Sequence, residues 1–191
     1  MGLGATLGYA ALTIVLYMSA FFVLAAIRKK NDIADIAWGL GFIVVAAVTV
    51  ALNGAVTPRR LVILALVVVW GLRLAAHILR RNRGKPEDSR YAKWRQDWGR
   101  YFLIRTYLQV FLLQGLFMWL ISFPAMIANA NDRGGLGLVA LVGVLVWVVG
   151  FVFEAVGDQQ LDAFKGNPAN KGQVITTGLW RYTRHPTTLA R

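Results

Sequence analysis

The residues best suited to chemistry lie near the carboxyl end of the chain, where the run 178–186 reads G-L-W-R-Y-T-R-H-P. Its cations and rings are Trp180, Arg181, Tyr182, Arg184 and His185. A guanidinium can bind a phosphate through two parallel hydrogen bonds. The rings could stack on a base or a nicotinamide, and the imidazole could contact a 2′-phosphate or transfer a proton. Composition alone favours a second interpretation, a basic and aromatic strip on anionic lipid.

Five apolar stretches are long enough to cross roughly 30 Å of hydrocarbon at about 1.5 Å per helical residue. They are Gly4–Ile27, Ile33–Leu52, Leu61–Leu79, Leu103–Ile127 and Leu136–Gly157. Only 16% of the 191 residues are charged, whereas soluble domains average about 25%. We therefore predict an all-α, polytopic membrane helical bundle. Residues 1–157 form its five spans, and residues 158–191 form a cytoplasmic, cofactor-binding tail.

The positive charge of the chain, formally +12, is concentrated between alternate spans. Most Lys and Arg residues fall in Arg28–Lys30, Arg80–Arg100 and Asp158–Arg191. The positive-inside rule places these segments in the cytoplasm, with the amino terminus outside. We expect a multi-pass protein of the cell inner membrane. This orientation explains the basic charge without nucleic acid as a partner. With no cysteine and only two histidines, no metal site is expected.

Four polar pairs interrupt the apolar spans near their predicted cytoplasmic ends. They are Asp32 with Asp35, Arg73 with His77, Arg105 with Gln109, and Glu154 with Asp158. A spacing of three or four residues puts both members on one helix face. Ionisable groups in a membrane need a partner, a water-filled cavity or a function. The pairs either neutralise one another inside the bundle, or they line a cavity that admits a charged cofactor while lipid delivers an apolar substrate.

The polar connection at residues 80–101 carries charges of both signs together with Tyr91, Trp94 and Trp98. Aromatic and long basic side chains favour the boundary between headgroups and hydrocarbon. The connection therefore predicts a short interfacial helix before the fourth span.

Several short motifs together resemble a known membrane family. They are D-I-A-D-I-A-W-G at Asp32–Gly39, Y-L-Q-V-F at Tyr107–Phe111, D-Q-Q at Asp158–Gln160, F-K at Phe164–Lys165, N-K-G at Asn170–Gly172, and the run Gly178–Pro186. The chain resembles a bacterial membrane family of unassigned function, which belongs to the superfamily with the steroid 5α-reductase C-terminal domain. The resemblance covers nearly the whole chain and is most specific in its last motif.

This resemblance implies a membrane oxidoreductase acting on CH–CH groups, with NADPH bound by the loop and tail on the cytoplasmic side. Hydride would pass to a carbon–carbon double bond conjugated to a carbonyl in a lipid-like substrate of enone or steroid type. By motif position, the cofactor contacts would be Asn170, Lys171, Arg181, Tyr182, Arg184 and His185. Glu154 and Tyr182 are the candidate catalytic residues. The expected partners are membrane lipid and a lipid-like small molecule.

Two other functions stay open at this point. A related branch, the isoprenylcysteine carboxyl methyltransferases, uses S-adenosylmethionine and shares an R-H-P element, so a membrane methyltransferase is one alternative. The other is a non-enzymatic membrane protein whose basic loops bind anionic lipid.

The last five residues depart from the family pattern. After R-H-P the family continues with N-Y-F-G-E and at least one more membrane helix, whereas this chain reads T-T-L-A-R. Deleting one adenine from one possible coding of N-Y-F-G-E produces codons for T-T-L-A-R. We therefore expect Thr187–Arg191 to be an out-of-frame remnant, from a frameshift or a sequencing error. Because the missing helix and polar side chains would complete the site, we expect impaired activity.

Overall fold

The computed structural model describes residues 1–54, 56–131 and 135–183, and all regular elements in these ranges are helical. The α-helices are α1 (Leu3–Arg28), α2 (Ile33–Leu52), α3 (Pro58–Asn82), α4 (Ser89–Trp98), α5 (Phe102–Thr106), α6 (Leu113–Ile121), α7 (Phe123–Ala130) and α8 (Leu138–Gly166). The chain forms two compact units, and the boundary between them lies between Gly135 and Leu136. The first contains α1 to α7 and the second contains α8 and the tail. The expectation about Thr187–Arg191 lies outside the described residues.

Five helical stretches in the described ranges are long and apolar enough to cross a membrane, which confirms the predicted all-α, polytopic class. They are Leu3–Arg28, Ile33–Leu52, Pro58–Asn82, Ser89–Ile121 and Leu138–Gly166. Their outer faces carry exposed Leu, Val and Ile side chains. Such faces suit lipid, since hydrocarbon solvates them as well as a protein interior would.

Small residues set the packing of α2 against α3 in the first unit. A Cβ added to Gly71 would lie 2.5 Å from the carbonyl oxygen of Gly39, and one added to Gly39 would lie 2.9 Å from the Gly71 oxygen. Neither position can accept a larger residue without movement of the backbone. The two helices therefore approach closely, as small residues allow in membrane bundles.

Helix α3 begins earlier than the hydropathy of the sequence suggests. The predicted span starts at Leu61, but the helix starts at Pro58 and Thr57 caps it by accepting a hydrogen bond from the backbone N–H of Arg60 (3.3 Å). Proline suits the first turn because its missing N–H would have no helical partner there. The first turn therefore carries Arg59 and Arg60 inside the helix.

The fourth span is not one straight helix. α4 ends at a turn around Gly99, a 3-10 turn at Gly99–Tyr101 leads into α5, and a π-helical turn occupies Tyr107–Leu112 before α6. A further break at Ser122 separates α6 from α7, where Pro124 occupies the first turn. Proline cannot continue a helix because it lacks the N–H and clashes with the preceding turn. The short helix α4 bears out the helix predicted in the 80–101 connection.

Helix α8 of the second unit runs through residue 157 to Gly166, nine residues past the predicted end of the fifth span. Polar residues end an apolar stretch without ending a helix, and Asp158–Leu161 are compatible with helical structure. Two 3-10 turns follow, at Pro168–Asn170 and Gly178–Arg181.

Candidate functional site

The described tail folds back along α8 within the second unit. The indole Nε1 of Trp180 donates to the carbonyl oxygen of Gly157 (3.1 Å), and the backbone N–H of Leu179 donates to Oε1 of Gln160 (2.9 Å). Both partners on α8 belong to the polar segment that follows the apolar span. The Gly178–Arg181 turn is therefore held one to two helical turns beyond Glu154 along α8.

Gly178 makes this close approach possible. Its φ of +62° lies in the left-handed region, and an added Cβ would lie 2.5 Å from both Oε1 and Nε2 of Gln160. A residue with a side chain would be strained in this conformation and would displace the amide that binds Leu179. The G-L-W-R motif thus begins with glycine for a local structural reason.

The chain between α8 and this turn forms a loop that lines an open cavity of about 540 Å³. Its lining residues are Leu161, Phe164, Lys165, Asn167, Pro168, Asn170, Lys171, Gly172, Gln173, Val174 and Ile175. Asn170 closes the loop, since its Nδ2 donates to the carbonyl oxygen of Phe164 (2.9 Å), and Ile175 is buried. The volume is in the range of small-molecule sites, about 300–1,000 Å³.

The cavity combines an apolar floor with two cations. Leu161, Phe164 and Ile175 supply the floor, while the side chains of Lys165 and Lys171 are exposed at its edge. Neither ammonium group has a carboxylate partner among the described residues. This arrangement suits a ligand that is flat and apolar at one end and anionic at the other.

The predicted cofactor residues fall into three places. Asn170 and Lys171 line the cavity, whereas Arg181 and Tyr182 lie on the anchored turn, with Tyr182 84% exposed. Arg184 and His185 lie outside the described residues. Lys165, which sequence reasoning did not single out as a contact, lines the same cavity as Lys171.

Glu154 and Asp158 are buried on one face of α8, as their spacing of four residues requires. Glu154 is only 1% exposed although it lies inside an apolar span. Burial of a carboxyl group in such a span is costly unless it is paired or has a function. Of the two candidate catalytic residues, Glu154 is therefore enclosed and Tyr182 is open to solvent.

Of the acidic pair at the start of α2, Asp35 contacts α4. Asp35 Oδ2 lies 3.8 Å from Nη2 of Arg90. Glu87, just before α4, accepts hydrogen bonds from the backbone N–H and Nδ2 of Asn31 (2.9 Å each) and pairs with Arg95 (3.1 Å). For Asp35, the expected pairing with one of the basic pairs, Arg73 with His77 or Arg105 with Gln109, is replaced by a contact with Arg90 of the short helix.

The pKa values of Asp32, just before α2, and Asp88, just before α4, shift in opposite directions. Burial raises the pKa of the Asp32 carboxyl above its ordinary value, because the charged form loses hydration. Hydrogen bonds from the guanidinium and backbone N–H of Arg90 lower the pKa of Asp88. Asp88 also caps α4 by accepting from that N–H (2.9 Å).

The remaining basic pairs differ in exposure. Arg73 and His77 are half-buried on α3, whereas the side chains of Arg105 and Gln109 are exposed. The expected contribution of Arg105 and Gln109 to a buried cluster is therefore wrong. Their spacing assumed 3.6 residues per turn, but the π-helical turn begins between them at Tyr107.

A buried polar cluster at the opposite end of the first unit escaped sequence reasoning. The guanidinium of Arg60 donates to the carbonyl oxygens of Asn53 (2.8 Å) and Asn129 (2.7 and 3.1 Å). Asn129 Nδ2 donates to the hydroxyl of Thr49 (3.0 Å), and Asn53 Nδ2 donates to that of Thr6 (3.1 Å). The cluster joins the ends of α1, α2, α3 and α7. The Thr57-Pro58 helix start was the available signal, since it places Arg60 in a helical first turn.

Comparison with known proteins gives one family and one curated relative with a significant match. No solved structure matches significantly. An uncharacterised protein of Schizosaccharomyces pombe is 28% identical over 159 residues, which cover 71% of this chain and 46% of the yeast protein. The chain thus spans about half the length of this relative. The family model "Protein of unknown function (DUF1295)" matches residues 21–190. The chain therefore belongs to the DUF1295 family, within the steroid 5α-reductase-like superfamily.

Proposed function

We propose that the protein is a membrane-embedded, NADPH-dependent reductase of a lipid-like substrate with a conjugated double bond. The observation that carries this proposal is the cavity of about 540 Å³ beside the anchored turn of the tail. Membership of the family supports the reaction class. The distribution of Lys and Arg supports a cytoplasmic location for the tail, where NADPH is available.

The residues around the cavity fit a dinucleotide phosphate. Lys165 and Lys171 would bind its phosphates, and the apolar floor with Phe164 would contact a ring. Arg181 adds a further cation on the neighbouring turn. We propose Arg184 and His185 as further contacts by motif position. NADPH, when bound, supplies a hydride.

The protein's own part in the chemistry is to hold a proton source and exclude water. Glu154 is the stronger candidate because its carboxyl group is buried on the same helix to which the Gly178–Arg181 turn is tied. A buried acid beside the substrate can transfer a proton to the substrate carbon with less competition from water than an exposed one. Tyr182 is the second candidate, and would need the bound ligands to cover it.

Cofactor-induced stabilisation of the detergent-purified chain tests this proposal without relying on turnover. At 100 times the Kd, a ligand stabilises the fold by about 2.7 kcal/mol. For a chain of this size, this corresponds to a Tm rise of about 5–10 °C. We expect this rise with NADPH and none with S-adenosylmethionine.

Matched variants then locate the site. K165Q/K171Q should lose most of the NADPH-induced shift. K93Q, which removes an exposed cation from α4, should keep it. A shift with S-adenosylmethionine alone would indicate a methyltransferase, and no shift with either cofactor would exclude both enzymatic functions. Equal loss in the two variants would contradict the assigned cavity.

A further inference from the structure

The chain turns sharply at the corner between α4 and α5, a region that has no role in the proposed reductase function. α4 ends at Trp98, and Gly99 then takes φ +47° and ψ −122°, a conformation far from helical. The chain therefore turns sharply before α5 begins at Phe102. A short helix set at an angle to a span is the expected arrangement for one that lies along a membrane surface.

Two arginines at this corner each contact an aromatic ring on the other helix. The guanidinium of Arg95, on α4, lies 4.2 Å from the ring centre of Phe102 on α5. The guanidinium of Arg105, on α5, lies 5.9 Å from the ring centre of Trp98 on α4. Trp98 in turn stacks on Trp94, with ring centres 5.1 Å apart. The reciprocal pairs hold both cations at the corner.

The two arginines differ in what else binds them. Arg95 pairs with Glu87, but no carboxylate of the described residues lies within ion-pair distance of Arg105. The neighbours of Arg105 along the span, Leu103, Ile104 and Leu108, are 56%, 58% and 51% exposed. Arg105 is therefore an exposed cation among lipid-facing side chains, with its guanidinium beside the ring of Trp98.

We propose that Arg105 binds the phosphate of an anionic membrane phospholipid at the α4–α5 corner, with the acyl chains along Leu103, Ile104 and Leu108. A cation in a lipid-facing span is costly unless it reaches the interface and finds an anion there. Among the described residues Arg105 donates no side-chain hydrogen bond, so its N–H groups are available for a phosphate while the ring of Trp98 lies beside the guanidinium.

Charge around the corner favours a lipid with net negative charge. Arg100 follows Gly99 directly, and its guanidinium lies 4.7 Å from the ring centre of Tyr101 while donating to its hydroxyl (2.7 Å). Lys93 is a further exposed cation on α4. A zwitterionic headgroup brings its own ammonium group, which these cations repel, whereas an anionic headgroup does not.

Native mass spectrometry of the delipidated full chain tests the site with two lipids of equal acyl chains. The protein is titrated with dioleoylphosphatidylglycerol, dioleoylphosphatidylcholine or inorganic phosphate. We expect preferential retention of phosphatidylglycerol, and a loss of about tenfold in its affinity in R105Q, since a charged hydrogen bond is removed. Equal retention of the two lipids, or displacement of phosphatidylglycerol by an equal concentration of inorganic phosphate, would overturn the proposal.

Three further variants separate a site from diffuse attraction. R83Q removes an exposed cation at the end of α3 and should change the affinity less than twofold. R105K keeps the charge but not the planar fork, and W98L removes the supporting ring, so both should weaken retention. Because W98L leaves Arg105 in place, it provides a second test if R105Q does not fold. A loss in R83Q equal to that in R105Q would overturn the assigned site.

Discussion

Trp180 Nε1 donates a hydrogen bond to the carbonyl oxygen of Gly157 across 3.1 Å, and this bond ties the tail to α8. The carbonyl lies just past the apolar part of the helix, three residues after Glu154. Together with the Leu179–Gln160 bond, it sets the position of the cation on the next residue, Arg181. The aromatic residue of the motif is thus explained by anchoring, without stacking on a ligand.

Trp180→Phe removes the donor while keeping an aromatic ring. A neutral hydrogen bond contributes about 1 kcal/mol, so local opening of the turn should become about fivefold more frequent. Hydrogen exchange should report this as faster exchange of the Leu179 amide. Trp147→Phe is the matched control, since among the described residues that indole has only a ring contact, with Phe151. Unchanged exchange in Trp180→Phe would mean that the indole does not hold the turn.

The helical architecture was predictable because membrane spans are encoded by long local runs of apolar residues. Packing between helices was not, since it depends on which residues meet in space. Gly39 and Gly143 look equivalent in the sequence, since both are glycines inside apolar spans. In the structure Gly39 packs directly on Gly71, whereas a Cβ at Gly143 would meet no described atom within 4 Å beyond the nearby backbone of its own helix. Only the fold distinguishes them.

Gly71→Ala should therefore destabilise the first unit, whereas Gly143→Ala should not harm the second. The new methyl group of Gly71→Ala would lie 2.5 Å from the Gly39 oxygen, and such overpacking costs about 2 kcal/mol. In a helix interior with free space, alanine is favoured over glycine by up to about 1 kcal/mol. Unfolding in mixed detergent micelles measures both changes, and similar results for the two variants would contradict the close α2–α3 approach.

The candidate site was predictable only in part, because local motifs can be read from the sequence but contacts between distant segments cannot. Asn170 and Lys171 form a local motif, and both line one cavity. Lys165 joins them only because the loop folds back on α8, a contact that the motif does not encode. The predicted third span begins at Leu61 and leaves Arg60 outside, because hydropathy delimits apolar stretches, not helices. Its partners Asn53 and Asn129 come from distant segments.

Arg60→Lys should cost about 2–4 kcal/mol of unfolding free energy. An ammonium group keeps the charge, but it cannot reach both carbonyl groups that the planar guanidinium bridges, and buried acceptors lose their donors. Arg59→Lys changes the neighbouring, half-buried side chain, which donates to the single carbonyl oxygen of Gly135, and should cost less than about 1 kcal/mol. The same unfolding measurement compares them, and a larger loss for Arg59→Lys would show that the buried cluster does not stabilise the helix ends.

Asp32 and Asp88 should give the stability opposite dependences on pH. The pKa of Asp32 is raised in the folded state because burial disfavours its charged form. The free energy of unfolding therefore falls as the pH rises through that pKa and the carboxyl group becomes charged. Asp32→Asn should therefore raise the Tm at about pH 7. The gain should vanish below the ordinary value of 3.8, where the carboxyl is protonated in both states.

Asp88→Asn should act in the opposite sense, because its lowered pKa reflects stabilisation of the carboxylate by Arg90. Asparagine still caps α4, so only the ionic contribution is lost, and for this partly exposed group it amounts to less than about 1 kcal/mol. The wild-type advantage is full above 3.8 and is lost as pH falls through the lowered pKa. Thermal unfolding of both variants across this window measures the two slopes. A lower Tm for Asp32→Asn at about pH 7 would indicate that its carboxylate has a stabilising partner, contrary to its burial-raised pKa.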